Sequence, residues 1–192
     1  VSEGGQSMNP SLELIMDAAR ATAADDVILL PNNGNVILAA EQIAASDSSI
    51  HVVPTRSIPQ GVAALLSFNP EAPWQENIQS MTNSLSNVTS IEVAAAVRST
   101  KIGKVEVQKG QYIGILEGEL VIADNNPEQA LLLTLGLTNI NTDSIVSIYY
   151  GNHKTPVDAQ SVASKLEKEF PDIQIDVIDG GQPHFQYLAS IE

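Results

Sequence analysis

Between Val27 and Gly61 the chain writes one pattern twice, as VILLPNNGNVILAAEQIAASDSSIHVVPTRSIPQG. Two short apolar runs, Val27–Leu30 and Ile50–Val53, each end at a proline and give way to a polar loop and a segment with helical period. The runs are too short and too rich in β-branched residues for helices, and read as interior strands of a parallel sheet. A parallel pair needs a crossover, so the segment between them must cover the sheet as a helix. In an open sheet of this kind the loops after the carboxyl ends of the strands share one rim, where ligands and partners dock. The pattern says where a site belongs and leaves its chemistry open.

Helical stripes flank the pair. Leu12, Ile15, Met16 and Ala19 follow an Asn9-Pro10 cap. Ile37, Ala40 and Ala44 recur after the first loop; Ile58, Val62, Leu65 and Leu66 recur after the second and predict a buried face there. Past the Asn69–Pro73 connector, Trp74, Ile78, Met81 and Leu85 make a further stripe. The period changes at Thr89, where Ile91–Val97, Val105–Val107, Gln111–Leu116 and Leu120–Ala123 read as strands of an antiparallel meander with glycine-bearing turns. Asn125-Asn126-Pro127 then opens a helix through Leu131–Leu137, and Ile145–Tyr150 is a buried strand. Thr155-Pro156-Val157-Asp158 has the spacing of a capping box, ahead of a helix striped by Ala159, Val162, Leu166 and Phe170. Ile173, Ile175 and Val177 alternate with polar residues as a half-exposed strand, and Leu188–Ile191 reads as a last strand. The expected architecture is α/β, with a parallel, Rossmann-like sheet flanked by helices over residues 1–88 and a second, mixed lobe with the meander over 89–192.

Composition narrows the function classes. With 23 acids against nine Lys and Arg, the formal charge is −14. Such a chain repels phosphate backbones and acidic membrane surfaces, so neither nucleic-acid binding nor membrane insertion is expected. The absence of cysteine removes disulfides, thiol catalysis and thiolate metal sites, and with no leader pattern it fits a cytoplasmic protein. A first residue Val1 in place of methionine fits a piece of a longer chain. There is no phosphate-gripping GxxxxGK[ST] loop and no lysine before Lys101. No G-x-S-x-G elbow or HExxH helix occurs, and His51, His153 and His184 are too scattered for a local metal motif. No catalytic constellation stands out.

The candidate binding residues lie in loops. Asn32, Asn33, Gly34 and Asn35 either present donors to an anion at a helix N-terminus or simply turn and cap the chain. Thr55, Arg56 and Ser57, with Gln60 and Gly61, suit a phosphate, a carboxylate or an acidic partner surface, or else a surface salt bridge. Arg98 and Thr100 are a similar, weaker pair. Gly181, Gln182 and His184 follow a strand and can face a ligand. Trp74 with Ile78 and Met81 is either a docking stripe or core.

Read together, GGQSMNPS, ILLPNNGNVILAAEQ, VVPTRSIPQGVAALLSF, the run from AVRST to YIGILEGELV, SIVSIYYG and GGQPHFQYLASIE form an ordered set across the chain. In this it resembles the C-terminal domain of the ATP-binding subunit of bacterial fatty acid kinase, from a dihydroxyacetone-kinase-like family, and its fold is expected to be similar to that of DegV proteins. The resemblance implies a larger protein whose separate N-terminal domain binds ATP and magnesium, with no cofactor in this portion and with oligomerisation through the parent. It also implies that this portion docks with the DegV-like subunit that carries the fatty acid. Arg56 stands where the family pattern leads one to expect lysine, which keeps the charge.

Overall fold

The computed structural model describes residues 12–192, so the Asn9-Pro10 cap and the first Gly-Gly-Gln, Gly4–Gln6, lie outside the described residues. The chain divides into two compact units, with the break between Val88 and Thr89.

The first unit runs α1 (Leu12–Arg20), β1 (Val27–Leu29), α2 (Gly34–Ser46), β2 (Ile50–Val52), α3 (Ile58–Leu66), α4 (Trp74–Ser84) and a 3₁₀ turn at Leu85–Asn87. β1 and β2 pair in parallel from Val27↔Ile50 to Leu29↔Val52. Strand alternation makes the sheet two-faced. Val27, Leu29 and Ile50 pack with Ile15, Ala19 and Ile43 of α1 and α2. Ile28, Leu30 and Val53 pack with Ala64, Ile78 and Met81 of α3 and α4. The connector before α4 is held by Asn77, whose Nδ2 donates to the carbonyls of Asn69 (2.9 Å) and Ala72 (3.1 Å) while its Oδ1 accepts from the Asn69 N–H.

Helix α3 corrects the sequence reading. Of its expected buried stripe, Ile58, Leu65 and Leu66 are exposed and Val62 is half-buried, while Pro59, Gln60, Gly61, Ala63 and Ala64 face inward. The reason is steric. At Gly61 the helix comes so close to Asn32 that a Cβ would meet its amide, and Ala64 packs beside Val53 and Met81, so the largest aliphatic residues turn outward.

The second unit runs β3 (Thr89–Ala95), β4 (Thr100–Ile102), β5 (Val105–Val107), β6 (Tyr112–Leu116), β7 (Glu119–Asp124), α5 (Pro127–Leu135), β8 (Ile145–Tyr150), α6 (Pro156–Glu169), β9 (Gln174–Asp179) and β10 (Phe185–Ile191). Six strands form one sheet in the order β7-β6-β3-β10-β8-β9, antiparallel except for the β8–β9 pair that α6 connects. α5 and α6 cover one face, where Leu131, Leu135, Val162 and Leu166 meet Ile91, Val146, Ile148 and Tyr187. Both helices begin as the sequence predicts. Asn126 caps α5, and Thr155 with Asp158 forms a complete capping box on α6.

Two features differ from expectation. The meander is β3–β6–β7, and Val105–Val107 pairs with the separate strand Thr100–Ile102 instead of with β3. The last strand is longer than Leu188–Ile191 and occupies the middle of the sheet, with all seven residues buried. Because β10 is flanked by β3 and β8, truncation before Phe185 is expected to abolish the cooperative melt of this unit, measured by circular dichroism. A retained sigmoidal melt of both units would count against β10 as the organising strand.

Candidate functional site

The two loops singled out in the first unit meet at the carboxyl ends of β1 and β2. Asn32 sits in the left-handed region, with φ of 53°, a conformation that asparagine tolerates better than most residues. Its N–H donates to the Thr55 hydroxyl at 2.9 Å, which locks one loop onto the other. Thr55 is fully buried, so the bond is shielded from water. The Asn32 amide then lies flat against Gly61, where a Cβ would fall 2.2 Å from Oδ1. Any larger residue at 61 would have to displace that amide. Asn32 Oδ1 is buried and has no hydrogen-bond partner among the described residues.

Capping accounts for much of the remaining polarity. Asn33 accepts from the Asn35 N–H at 2.9 Å and starts α2 at Gly34; Ser57 accepts from the Gln60 N–H and starts α3. Gln60 is itself buried and accepts from the Arg56 N–H at 2.8 Å, which fixes the backbone that carries the guanidinium. The Arg56 side chain is exposed beside Gly34, its Nη1 3.9 Å from where a Cβ on Gly34 would be. Among the described residues it forms no ion pair. Turn-and-cap chemistry thus explains Asn33, Ser57 and Gln60, and leaves Arg56 as the free charge of the rim.

His51 and Trp74 pack together rather than forming a site. Their rings stack at 3.6 Å and 10°, and His51 Nε2 lies 2.8 Å from Asp26 Oδ1. Met81 is buried and Ile78 half-buried, so the Trp74 stripe belongs mainly to the core.

The other candidates belong to the second unit. Arg98 is exposed in the loop after β3, and Thr100 opens β4 opposite Val107. Gly181 and Gln182 serve the backbone: the Gly181 N–H donates to Asp179, and the Gln182 amide donates to the Tyr149 carbonyl at 3.0 Å, tying the β9–β10 loop to β8. His184 is exposed beside that loop. No cluster of three or more His, Asp or Glu side chains gathers as metal ligands would among the described residues. No helix among them is long and apolar enough to cross a membrane.

Sequence reasoning missed one polar centre. Glu128, in the first turn of α5, accepts from Lys154 Nζ at 2.6 Å and from the Tyr187 hydroxyl at 2.8 Å. The Lys154 and Glu128 side chains are 14% and 15% exposed. The one signal was Lys154 itself, the single lysine outside the clusters at 101–109 and 165–168. Burial works to raise the Glu128 pKa, but the Lys154 ammonium, the backbone hydrogen bond at Glu128 and the Tyr187 hydroxyl outweigh it and hold it below the ordinary value. Burial, then the carboxylate of Glu128, pushes the Tyr187 phenol upward.

Both contacts can be tested by substitution. Gly61→Ala is expected to cost about 1–3 kcal/mol in urea denaturation, because the methyl must displace the Asn32 amide; an unchanged midpoint would remove the close contact as a constraint. Glu128→Gln strands a shielded ammonium and is expected to cost about 3 kcal/mol at neutral pH. A carboxyl whose pKa is depressed on folding stabilises above its unfolded value of 4.5 and loses that contribution as pH falls through the folded value. The wild type should therefore lose more stability than Glu128→Gln between pH 6 and pH 3, as read by thermal melts.

Comparison with known proteins gives a consistent picture. A family model for the C-terminal region of FakA-like fatty acid kinase proteins matches residues 1–192. Protein YloV of Bacillus subtilis is 37% identical over all of this chain and 35% of its own length. An uncharacterized protein of Staphylococcus aureus strain MRSA252 is 34% identical with the same coverage. The chain thus spans about a third of the length of these curated relatives. Among solved structures, the fatty acid kinase B3 protein of Streptococcus pneumoniae loaded with linoleic acid superposes with a TM-score of 0.64 at 14% identity, over 95% of this chain and 76% of that one. A DegV family protein of Corynebacterium glutamicum gives 0.64 at 13%, over 95% and 82%. A Thermotoga maritima protein titled as revealing a fatty acid binding function gives 0.61 at 14%, over 96% and 76%. The fold is therefore DegV-like.

Proposed function

The chain belongs to the FakA-like C-terminal family of fatty acid kinase proteins, and from that premise we propose that it is a non-catalytic docking domain of a fatty acid kinase. It engages a DegV-like fatty-acid-carrying subunit and holds it for a separate kinase domain, which binds ATP and magnesium and phosphorylates the bound acid. The observation that carries this reading is the inverted face of α3. Leu65 and Leu66 are 60% and 78% exposed, with Phe68 just beyond, on the helix that starts at the Arg56 loop. Exposed aliphatic side chains on a helix whose leading loop carries an exposed arginine are of the kind that protein contact surfaces present.

The solved neighbours favour a second reading, in which the chain itself holds an acyl group, since several are titled for fatty acid binding. The middle of the second unit's sheet argues against it. Opposite α5 and α6, β3, β8 and β10 carry Ser90, Glu92, Ser147, Tyr149, Gln186 and Ser190, with Leu188 among them. Such a face suits hydrogen bonding better than an acyl chain.

Calorimetric titration of the full-length protein with the lipid-loaded DegV-like subunit tests the proposal, and saturable binding is expected. Arg56→Glu and Leu66→Asp should each weaken it at least about tenfold while leaving the melting temperature unchanged, as interface anchors do. Unchanged affinity in both variants would remove this face. A thermal upshift with free oleate and no binding to the subunit would favour the acyl reading.

A further inference from the structure

The β4–β5 hairpin is a cationic element on an acidic protein. Residues 98–109 hold Arg98, Lys101, Lys104 and Lys109 against the single acid Glu106, a net charge of +3, so the other 180 residues carry −17. The hairpin is an excursion from a continuous ladder. Beyond β3, the Ala96 N–H donates to the Gln111 carbonyl (2.8 Å) and the Gly110 N–H donates to the Ala96 carbonyl (2.9 Å), which closes the sheet beneath residues 97–109. The Lys109 N–H donates to the Ser99 hydroxyl at 2.9 Å and joins the two legs again. At the tip, Ile102 pairs with Val105 across Gly103-Lys104, and the positive φ of 57° falls on Gly103, as a two-residue turn requires. Buried Val107 roots one strand in the fold.

This anchoring fixes the backbone that carries the cations. Among the described residues Lys101 pairs only with Glu106, and both are well exposed, so the pair contributes little. Among the described residues Arg98, Lys104 and Lys109 have no ion pair. Beside them Val97 is 83% and Ile102 51% exposed. Cations on an anchored backbone, interleaved with exposed aliphatic groups, have the composition of a contact surface.

We infer that this hairpin is a second docking element that seats on an acidic patch of the protein partner. The inference rests on the docking reading and adds a surface to it. Charge distribution selects the occupant. A membrane or a nucleic acid is an extended polyanion and would meet the −17 body as well as the hairpin, whereas a patch on a protein meets only the hairpin. At physiological salt the screening length is about 8 Å, so a contact of that size feels the local +3.

The test uses the full-length protein and the lipid-loaded DegV-like subunit, followed by surface plasmon resonance at low salt and at roughly 0.5 M NaCl, where screening is nearly complete. The variant K104E/K109E is compared with K165E/K168E, which makes the same charge change on exposed positions of α6. The hairpin variant is expected to slow association about tenfold at low salt and to converge with wild type at high salt, while the α6 variant stays near wild type. Equal effects of the two variants, or none, overturn the inference while the docking reading stands. Failure of the wild type to bind the subunit sinks both. Loss of binding to mixed phosphatidylcholine–phosphatidylglycerol vesicles, with subunit binding intact, assigns the hairpin to a membrane and also overturns it.

Discussion

Helix α3 approaches the loop after β1 so closely that one amide and one α-carbon share the space. The rest of the first unit's chemistry depends on that contact between Asn32 and Gly61. It joins the two loops at the sheet rim, with the Asn32–Thr55 hydrogen bond beside it. It calls for a minimal residue at Gly61, and Ala63 and Ala64 continue a small inner side beyond it. The helix then carries Ile58, Leu65 and Leu66 outward. The apolar exposure proposed as a docking face is thus a geometric result of a close approach on the other side of the same helix.

What the sequence disclosed depended on whether the cause was local. Several helix starts were legible, since a cap is decided within four positions: Asn33 and Asn126 cap within the Asn-rich turns expected to do so, and Thr155 with Asp158 forms the expected box, whereas Ser57, read as a binding candidate, proved to cap α3. The strands of the parallel pair and the change of pattern near Thr89 were legible from apolar runs and turn residues. The facing of α3 was not, because an aliphatic stripe records what is apolar and not which side has room. The position of β10 was hidden for a related reason. A four-residue apolar run reads alike at an edge or in the centre, and here partners far away in sequence, β3 and β8, decide. The candidate loops Asn32–Asn35 and Thr55–Gly61 were found correctly as neighbours, since two successive parallel strands must place their loops on one rim. The buried Glu128–Lys154–Tyr187 centre was invisible, as its members come from a helix, a loop and the last strand.

Positive charge is scarce, and six of the nine Lys and Arg residues fall into three distinct placements. Lys154 is consumed internally, shielded and bonded to Glu128. Arg56 stands free on a backbone fixed by Gln60. The cations of the β4–β5 hairpin are gathered on an excursion held at its base by ladder bonds. On the docking reading, exposed cations of an acidic chain favour the approach of a negatively charged partner from their side.

The central place of β10 has a kinetic consequence. Ile91 of β3 and Ala189 of β10 are register partners roughly a hundred residues apart, so their pairing closes a long loop before any contact repays it. During synthesis β3, β6 and β7 can form their local hairpins early, and β8, α6 and β9 can form a crossover unit, yet these two halves have no shared strand until β10 emerges. The second unit is then two half-sheets with open inner edges, waiting for one insertion that zips both. Until that insertion, the edges of β3 and β8 are the places where the nascent chain is most open to pairing with a neighbour.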